Sequence, residues 1–291
     1  MTSSPSVTGG PANAGPTVSR MQLGARLRGH RIAADLTREA AGYSIRASES
    51  KISRMELGRV GFKERDVTDL LTLYGVEDQD EMLALAREAN RPGWWQAYSD
   101  VLPTWFLNYL DLEQAAELIR TYEIQFVPGL LQTEDYARAV ISIGHGRGSK
   151  RELDRRVELR MARQTMLARA DSPRLWAVID EAVLLRPMGS RATHRAQLES
   201  LLTLTDSRVV RLQVVPFSAG GHAAAGGAFS ILRFALEEVP DLVFLEQLTG
   251  SLYLDRQEDV DQYAAAASRL IIEATTPERT ADVIHRALRN L

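Results

Sequence analysis

The stretch "SESKISRMELGR", Ser48–Arg59, decides the fold of the first part of this chain. Its serines, Lys51 and two arginines surround a short apolar seam made by Ile52 and Met55. Ser48 stands where an N-cap belongs, since its hydroxyl can accept from a backbone N–H that the first helical turn leaves unpaired. Gly58 stands where a helix ends, because glycine enters the left-handed conformation without a Cβ penalty. The expectation is a short helix from Glu49 to about Leu57. Projected at about 100° per residue, Ile52, Met55 and the Ser48 cap share one side, while Ser50, Ser53, Arg54 and Leu57 lie opposite. Such a helix is tethered by two apolar residues and shows hydroxyls and a guanidinium outward.

Outward from this helix, "LTREAAGYSI" (36–45) reads as a shorter helix capped by Thr37, with Arg46-Ala47 as the turn between the two. Upstream, "RMQLGARLRGHRIAA" (20–34) places Leu23, Leu27 and His30 or Arg31 at helical spacing, and Asp35-Leu36 breaks it. Downstream, "FKERDVTDLLTLYG" (62–75) aligns Val67, Leu70, Leu71 and Tyr74, and "EDQDEMLALAREAN" (77–90) makes a fifth helix. A polar helix face in isolation is most often simply solvated. Two short helices across a tight turn, the second polar outside, instead form a helix-turn-helix, whose second helix enters the major groove of DNA. There Arg pairs with guanine and Ser can meet any base.

Charge agrees with this partition. The chain holds 35 Lys/Arg and 38 Asp/Glu; 11 and 7 of these fall between Arg20 and Val76, leaving 24 and 31 elsewhere. A small basic domain joined to a larger acidic one suggests that the first alone meets a polyanion. There are no cysteines, which excludes disulfides, thiolate metal sites and a cysteine nucleophile. No apolar run approaches the ~20 residues that span a bilayer. Residues 1–19, rich in Ser, Thr, Pro, Gly and Ala, read as a disordered tail without signal-peptide features. The expected organisation is therefore a tail over 1–19, a helix-turn-helix domain over 20–90 and a C-terminal domain over 91–291, in a cytoplasmic protein that is nucleoid-associated when bound.

The C-terminal part shows helix signals in "WFLNYLDLEQAAELI" (105–119) and in "EDYARAVISIG" (134–144), the latter with Thr133 as its cap. Strand-like runs follow at "RLWAVID", "VVRLQVVPF", "GAFSILRF", "DLVFLEQL" and "SLYL", and helices close the chain. Helices before and after a cluster of strands imply a mixed α/β (α+β) domain, so the whole chain is multi-domain, all-α and then α+β. Its chemistry is sparse. The histidines never form an HExxH pattern, and no Walker lysine, GxSxG or GxGxxG is present. The glycine-rich run 218–230 reads as a strand connection and His222 as a loop histidine. Asp180-Glu181 is too common a pairing to argue acid–base catalysis. A protein without catalytic residues, metal or cofactor is expected.

Two resemblances extend the reading. "LTREAAGYSIRASESKISRMELGR", with its Ser-Lys-Ile-Ser-Arg-x-Glu-x-Gly-Arg run from Ser50, resembles the XRE or lambda-repressor-like helix-turn-helix family. That resemblance implies base contacts from Ser48, Glu49, Ser50, Ser53 and Arg54, and phosphate contacts from Thr37, Arg38 and Arg59. Lys51 and Lys63 join the phosphate set on charge alone. It also implies a structural pair between Arg31 and Glu56. Glu49 has two readings, an acceptor for a cytosine amino group or a helix-dipole stabiliser in the first turn. The chain departs from the family at Arg46, where glycine is usual, and at Gly42, where alanine is usual; backbone strain at Arg46 is the expected consequence.

"IRTYEIQFVPGLLQTEDYARAV", "LQVVPFSAGGHAAAGGAFSILRF" and "LVFLEQLTGSLYLDRQEDV" look like the C-terminal domain of unknown function of actinobacterial, WhiJ-like regulators. The two resemblances imply a transcriptional regulator bound to double-stranded DNA, with a C-terminal domain for dimerisation, partner or ligand sensing. A homodimer is expected because one recognition helix reads only ~4–5 base pairs and specificity normally takes two half-sites. The alternative is an antitoxin-like protein that binds a small BldB-like partner protein and autoregulates its operon. A small-molecule effector is the third expectation for the C-terminal domain.

Overall fold

The computed structural model describes residues 15–145, 148–204, 207–224 and 226–291, which divide into two compact units. One comprises the chain up to Gln96 together with Phe234–Val239; the other comprises Ala97–Arg233 and Pro240–Leu291.

The first unit is helical: α1 (Pro16–Ala33), α2 (Arg38–Ser44), α3 (Glu49–Glu56), α4 (Glu64–Leu73) and α5 (Asp80–Ala89). Leu23 and Leu27 of α1, Ile52 and Met55 of α3, and Leu70 and Leu71 of α4 are buried together in its core. Each fully buried aliphatic side chain contributes about 1.5–3 kcal/mol, which is what holds such short helices in place. The tail expected over 1–19 is corrected at its end. Pro16 opens α1 at a position that tolerates its missing N–H, and Val18 and Ser19 are buried. Residues 1–14 lie outside the described residues.

The second unit contains α6 (Thr104–Ala115), β1 (Leu118–Glu123), α7 (Glu134–His145), α8 (Lys150–Gln164), β2 (Arg174–Asp180), α9 (Glu181–Leu185) and α10 (Arg191–Leu204). It continues through β3 (Val210–Val215), β4 (Phe229–Arg233), β5 (Leu242–Gln247) and β6 (Gly250–Leu254) to α11 (Gln257–Glu273) and α12 (Pro277–Asn290). The strands form one six-stranded sheet in the order β3-β2-β1-β4-β5-β6. β1, β2 and β3 run parallel and are joined by helical crossovers, while β4, β5 and β6 run antiparallel as a meander. The fold is α+β, as expected.

Two details of the sequence reading are corrected here. Leu118 and Ile119 end no helix: Ala116 adopts an extended conformation, and β1 starts at Leu118 as a central strand bonded on both sides. The helix-favouring "EQAAELI" yields there because sheet pairing on two edges outweighs local propensity. Thr133 does not cap α7 through its hydroxyl, which is buried without a hydrogen-bond partner among the described residues; its backbone N–H instead donates to Gln197 Oε1 at 2.7 Å.

Candidate nucleic-acid interface

α2 and α3 are each fixed at their N-terminus by a hydroxyl. Thr37 Oγ1 accepts from the Ala40 N–H at 3.1 Å, and Ser48 Oγ accepts from the Lys51 N–H at 3.2 Å. Each cap contributes about 1 kcal/mol. Arg46, in the turn between them, has φ +54°, a left-handed conformation that costs a residue with a Cβ about 1–2 kcal/mol. The strain expected at Arg46 is therefore present. Gly42 answers the second departure from the family pattern: a Cβ at this site would lie 2.7 Å from the Ala47 carbonyl oxygen, so the turn is drawn in against α2.

The inner side of α3 is anchored by more than its apolar pair. Glu56 is buried, with a side chain only 3% exposed, and it accepts from Arg31 Nε at 2.5 Å, from Arg31 Nη2 at 3.2 Å and from Arg38 Nε at 2.9 Å. Arg31 also donates to the Leu36 carbonyl at 2.6 Å. One carboxylate thus ties α1, α2 and α3 together. Burial alone would raise the Glu56 carboxyl, but the hydrogen bonds from Arg31 and Arg38 outweigh it and hold the group below its ordinary value. Burial, and then the charge of Glu56, pushes the neighbouring Tyr74 phenol up to about 12. α1 crosses α3 closely, since a Cβ at Gly24 would stand 2.4 Å from the Met55 carbonyl oxygen.

The expected site residues fall into three groups. Glu49, Ser50 and Arg54 are exposed on α3, with Ser53 half-buried, and Ser48 is exposed at the N-cap before it. Arg54 Nε donates to the carbonyl of Ser50 at 3.4 Å, one turn back along the helix. Leu57 is exposed as well. Thr37 before α2 and Arg59 and Lys63 in the loop after α3 are all exposed. Arg38 is half-buried; Glu56 holds its Nε, and its terminal nitrogens have no partner among the described residues. Lys51 stands apart, because its ammonium pairs with Asp66 of α4 at 2.6 Å. Arg31 and Glu56 form the expected pair.

Sequence reading missed the second arginine on Glu56 and the Asp66 partner of Lys51. Both link residues 15 or more positions apart, beyond the reach of helical periodicity. The steric signal was available at Gly24, a glycine inside an amphipathic helix, which often marks a close approach of another backbone.

With this geometry in place, residues 22–85 match a family model described as a helix-turn-helix domain, and residues 106–286 match one described as Domain of unknown function (DUF5753). The first match defines the class: a protein whose N-terminal domain is a helix-turn-helix, the architecture of a DNA-binding regulator. The second covers more than half of the chain, and the chain belongs to the DUF5753 family. No curated protein and no solved structure matches it. No helix among the described residues is long and apolar enough to cross a membrane.

Proposed function

We propose that the chain is a sequence-specific transcriptional regulator of the XRE type, acting as a homodimer rather than as an enzyme. The observation that carries this reading is the division of α3. Ile52, Met55 and Glu56 are locked inside, while Glu49 and Ser50 in the first turn and Arg54 in the last turn stand in solvent. Ser48, Glu49, Ser50, Ser53 and Arg54 read base edges in this account. Arg54 pairs with a guanine, and the serine hydroxyls donate or accept as the base requires. Thr37, Arg38, Arg59 and Lys63 contact phosphates and fix register. Lys51, held by Asp66, positions α3 against α4 instead of reaching the DNA backbone.

Arg38 has a double part: Glu56 aims it, and its free nitrogens meet the phosphate. The C-terminal domain carries dimerisation, and the WhiJ-like assignment rests on the sequence resemblance. Chromatin immunoprecipitation across the native genome, followed by footprinting of the strongest peaks, tests the reading. Sharp peaks over an inverted repeat with half-sites about one helical turn apart are expected. Diffuse signal without a motif contradicts it. A leading peak before the protein's own gene and a small neighbouring gene would favour the antitoxin-like alternative.

A further inference from the structure

The two edges of the six-stranded sheet are finished differently. β3, at one edge, is closed by its own chain. The Thr275 N–H donates to the Val214 carbonyl at 2.8 Å, Thr275 Oγ1 accepts from the Val214 N–H at 3.2 Å, and Thr280 Oγ1 donates to the Leu212 carbonyl at 2.9 Å. β6, at the other edge, has no such cover among the described residues. β5 and β6 pair from Gln247↔Gly250 to Val243↔Leu254, so Leu248 and Thr249 alone make the turn. The pair that closes a two-residue hairpin is hydrogen-bonded, and bonded and non-bonded pairs alternate from there. Leu252 and Leu254 therefore bond to β5. The N–H and C=O groups of Ser251 and Tyr253 point outward and find no partner among the described residues.

The side chains leave this edge unguarded. Free edges are commonly protected by lysine, proline, an inward charge or a bulge. From Gln247 to Leu254 there is neither a charged residue nor a proline, and the register with β5 runs without a bulge. Leu252, in the middle of β6, is 53% exposed, and Leu248 at the turn stands fully in solvent. An uncharged edge with unpaired backbone groups and exposed leucines is a template for another strand.

We propose that β6 is the homodimer interface: a second copy of this chain lays its own β6 antiparallel to the first, about a two-fold axis at Leu252. This assigns the interface of the homodimer proposed above and rests on that reading. The pattern of the strand is self-complementary. With Leu252 opposite its counterpart, the outward groups of Ser251 meet those of Tyr253 in the second copy, and the reverse, which makes two hydrogen-bonded pairs. Leu252 then forms a non-hydrogen-bonded pair with itself, the kind in which side chains stand closest. The nearest charges, Asp255 and Arg256, fall opposite Thr249 and Leu248 of the second copy, so no like charges meet. The two-fold axis matches the inverted repeat expected of the operator. A strand pair of this length buries less than the ~1,200–2,000 Å² of a standard interface, so association on the order of micromolar is expected.

The test uses the full chain, whose lack of cysteine makes cross-linking specific. Leu252→Cys places two thiols in a pair with Cα atoms ~4.5 Å apart, within the ~4.4–6.8 Å that a disulfide spans. Under mild oxidation it is expected to form a disulfide-linked dimer, while Ile272→Cys, an exposed position on α11, is expected to stay unlinked. Sedimentation velocity over a concentration series is expected to show the parent chain as a reversible dimer. Leu252→Lys, which sets two ammonium groups opposite each other, is expected to weaken that association about tenfold or more. Thermal melts report whether each variant is folded, and the cross-link decides the matter if Leu252→Lys is not. A dimer that survives Leu252→Lys, or a cross-link no faster at 252 than at 272, overturns the proposal and leaves the homodimer reading standing. A parent chain that is monomeric at every concentration overturns both.

Discussion

Glu56 is the residue on which the DNA-binding unit turns. Removing its carboxylate leaves Arg31 buried without a counter-charge, and breaking a buried pair from one side costs about 3–5 kcal/mol. Glu56→Ala is therefore expected to lower the denaturant midpoint of the first unit steeply, measured by helical circular dichroism in urea. The same group sets an acid limit. Because its folded carboxyl lies below its ordinary value of 4.5, its stabilisation is complete above that pH and is lost as pH falls through the folded value. Arg46 works in the opposite direction. Its φ of +54° is strained for a side chain and free for glycine, so Arg46→Gly is expected to stabilise the unit by about 1 kcal/mol in the same denaturation series. An unchanged midpoint would show that the turn carries no strain. This strain was legible in the sequence as a departure from the family's glycine. The grip of Arg38 on Glu56 was not, because residues 18 positions apart meet only through the packing of α2 on α3.

At the scale of the element, α3 separates the face proposed to read DNA from the buried face that holds it. Ser50→Ala with Arg54→Ala touches exposed side chains only, so folding is expected to survive while each lost base contact costs about 1–3 kcal/mol of discrimination. Competition binding on matched and mismatched duplexes measures it. Arg38→Ala is expected to weaken binding to all duplexes alike and to reduce the salt slope by about 1, the signature of a lost phosphate contact. Gly24→Ala acts on the scaffold instead. The added Cβ would meet the Met55 carbonyl at 2.4 Å and push α3 off α1, which is expected to cost about 1–3 kcal/mol or more of stability. The capped helices were readable from Thr37, Ser48 and Gly58 because capping is local chemistry. β1 was not readable. Its sequence continues a helical composition, and only bonding to β2 and β4 makes it a strand.

Over the whole molecule, the sequence separated a basic helical domain from an acidic α+β one through charge and periodicity, both of which accumulate along the chain. The order of the sheet stayed hidden, since strand order depends on contacts between distant segments. The row of Arg120, Trp176 and Arg211 was equally invisible, because only the register of β1, β2 and β3 brings these three side by side.

The claim that binds these scales is that α3 reads DNA sequence. In-vitro selection from a random duplex library, run in parallel with the parent chain and the Ser50→Ala, Arg54→Ala variant, tests it most directly. One enriched inverted-repeat motif is expected for the parent chain and a degenerate motif for the folded variant. The same sharp motif from both proteins would contradict it.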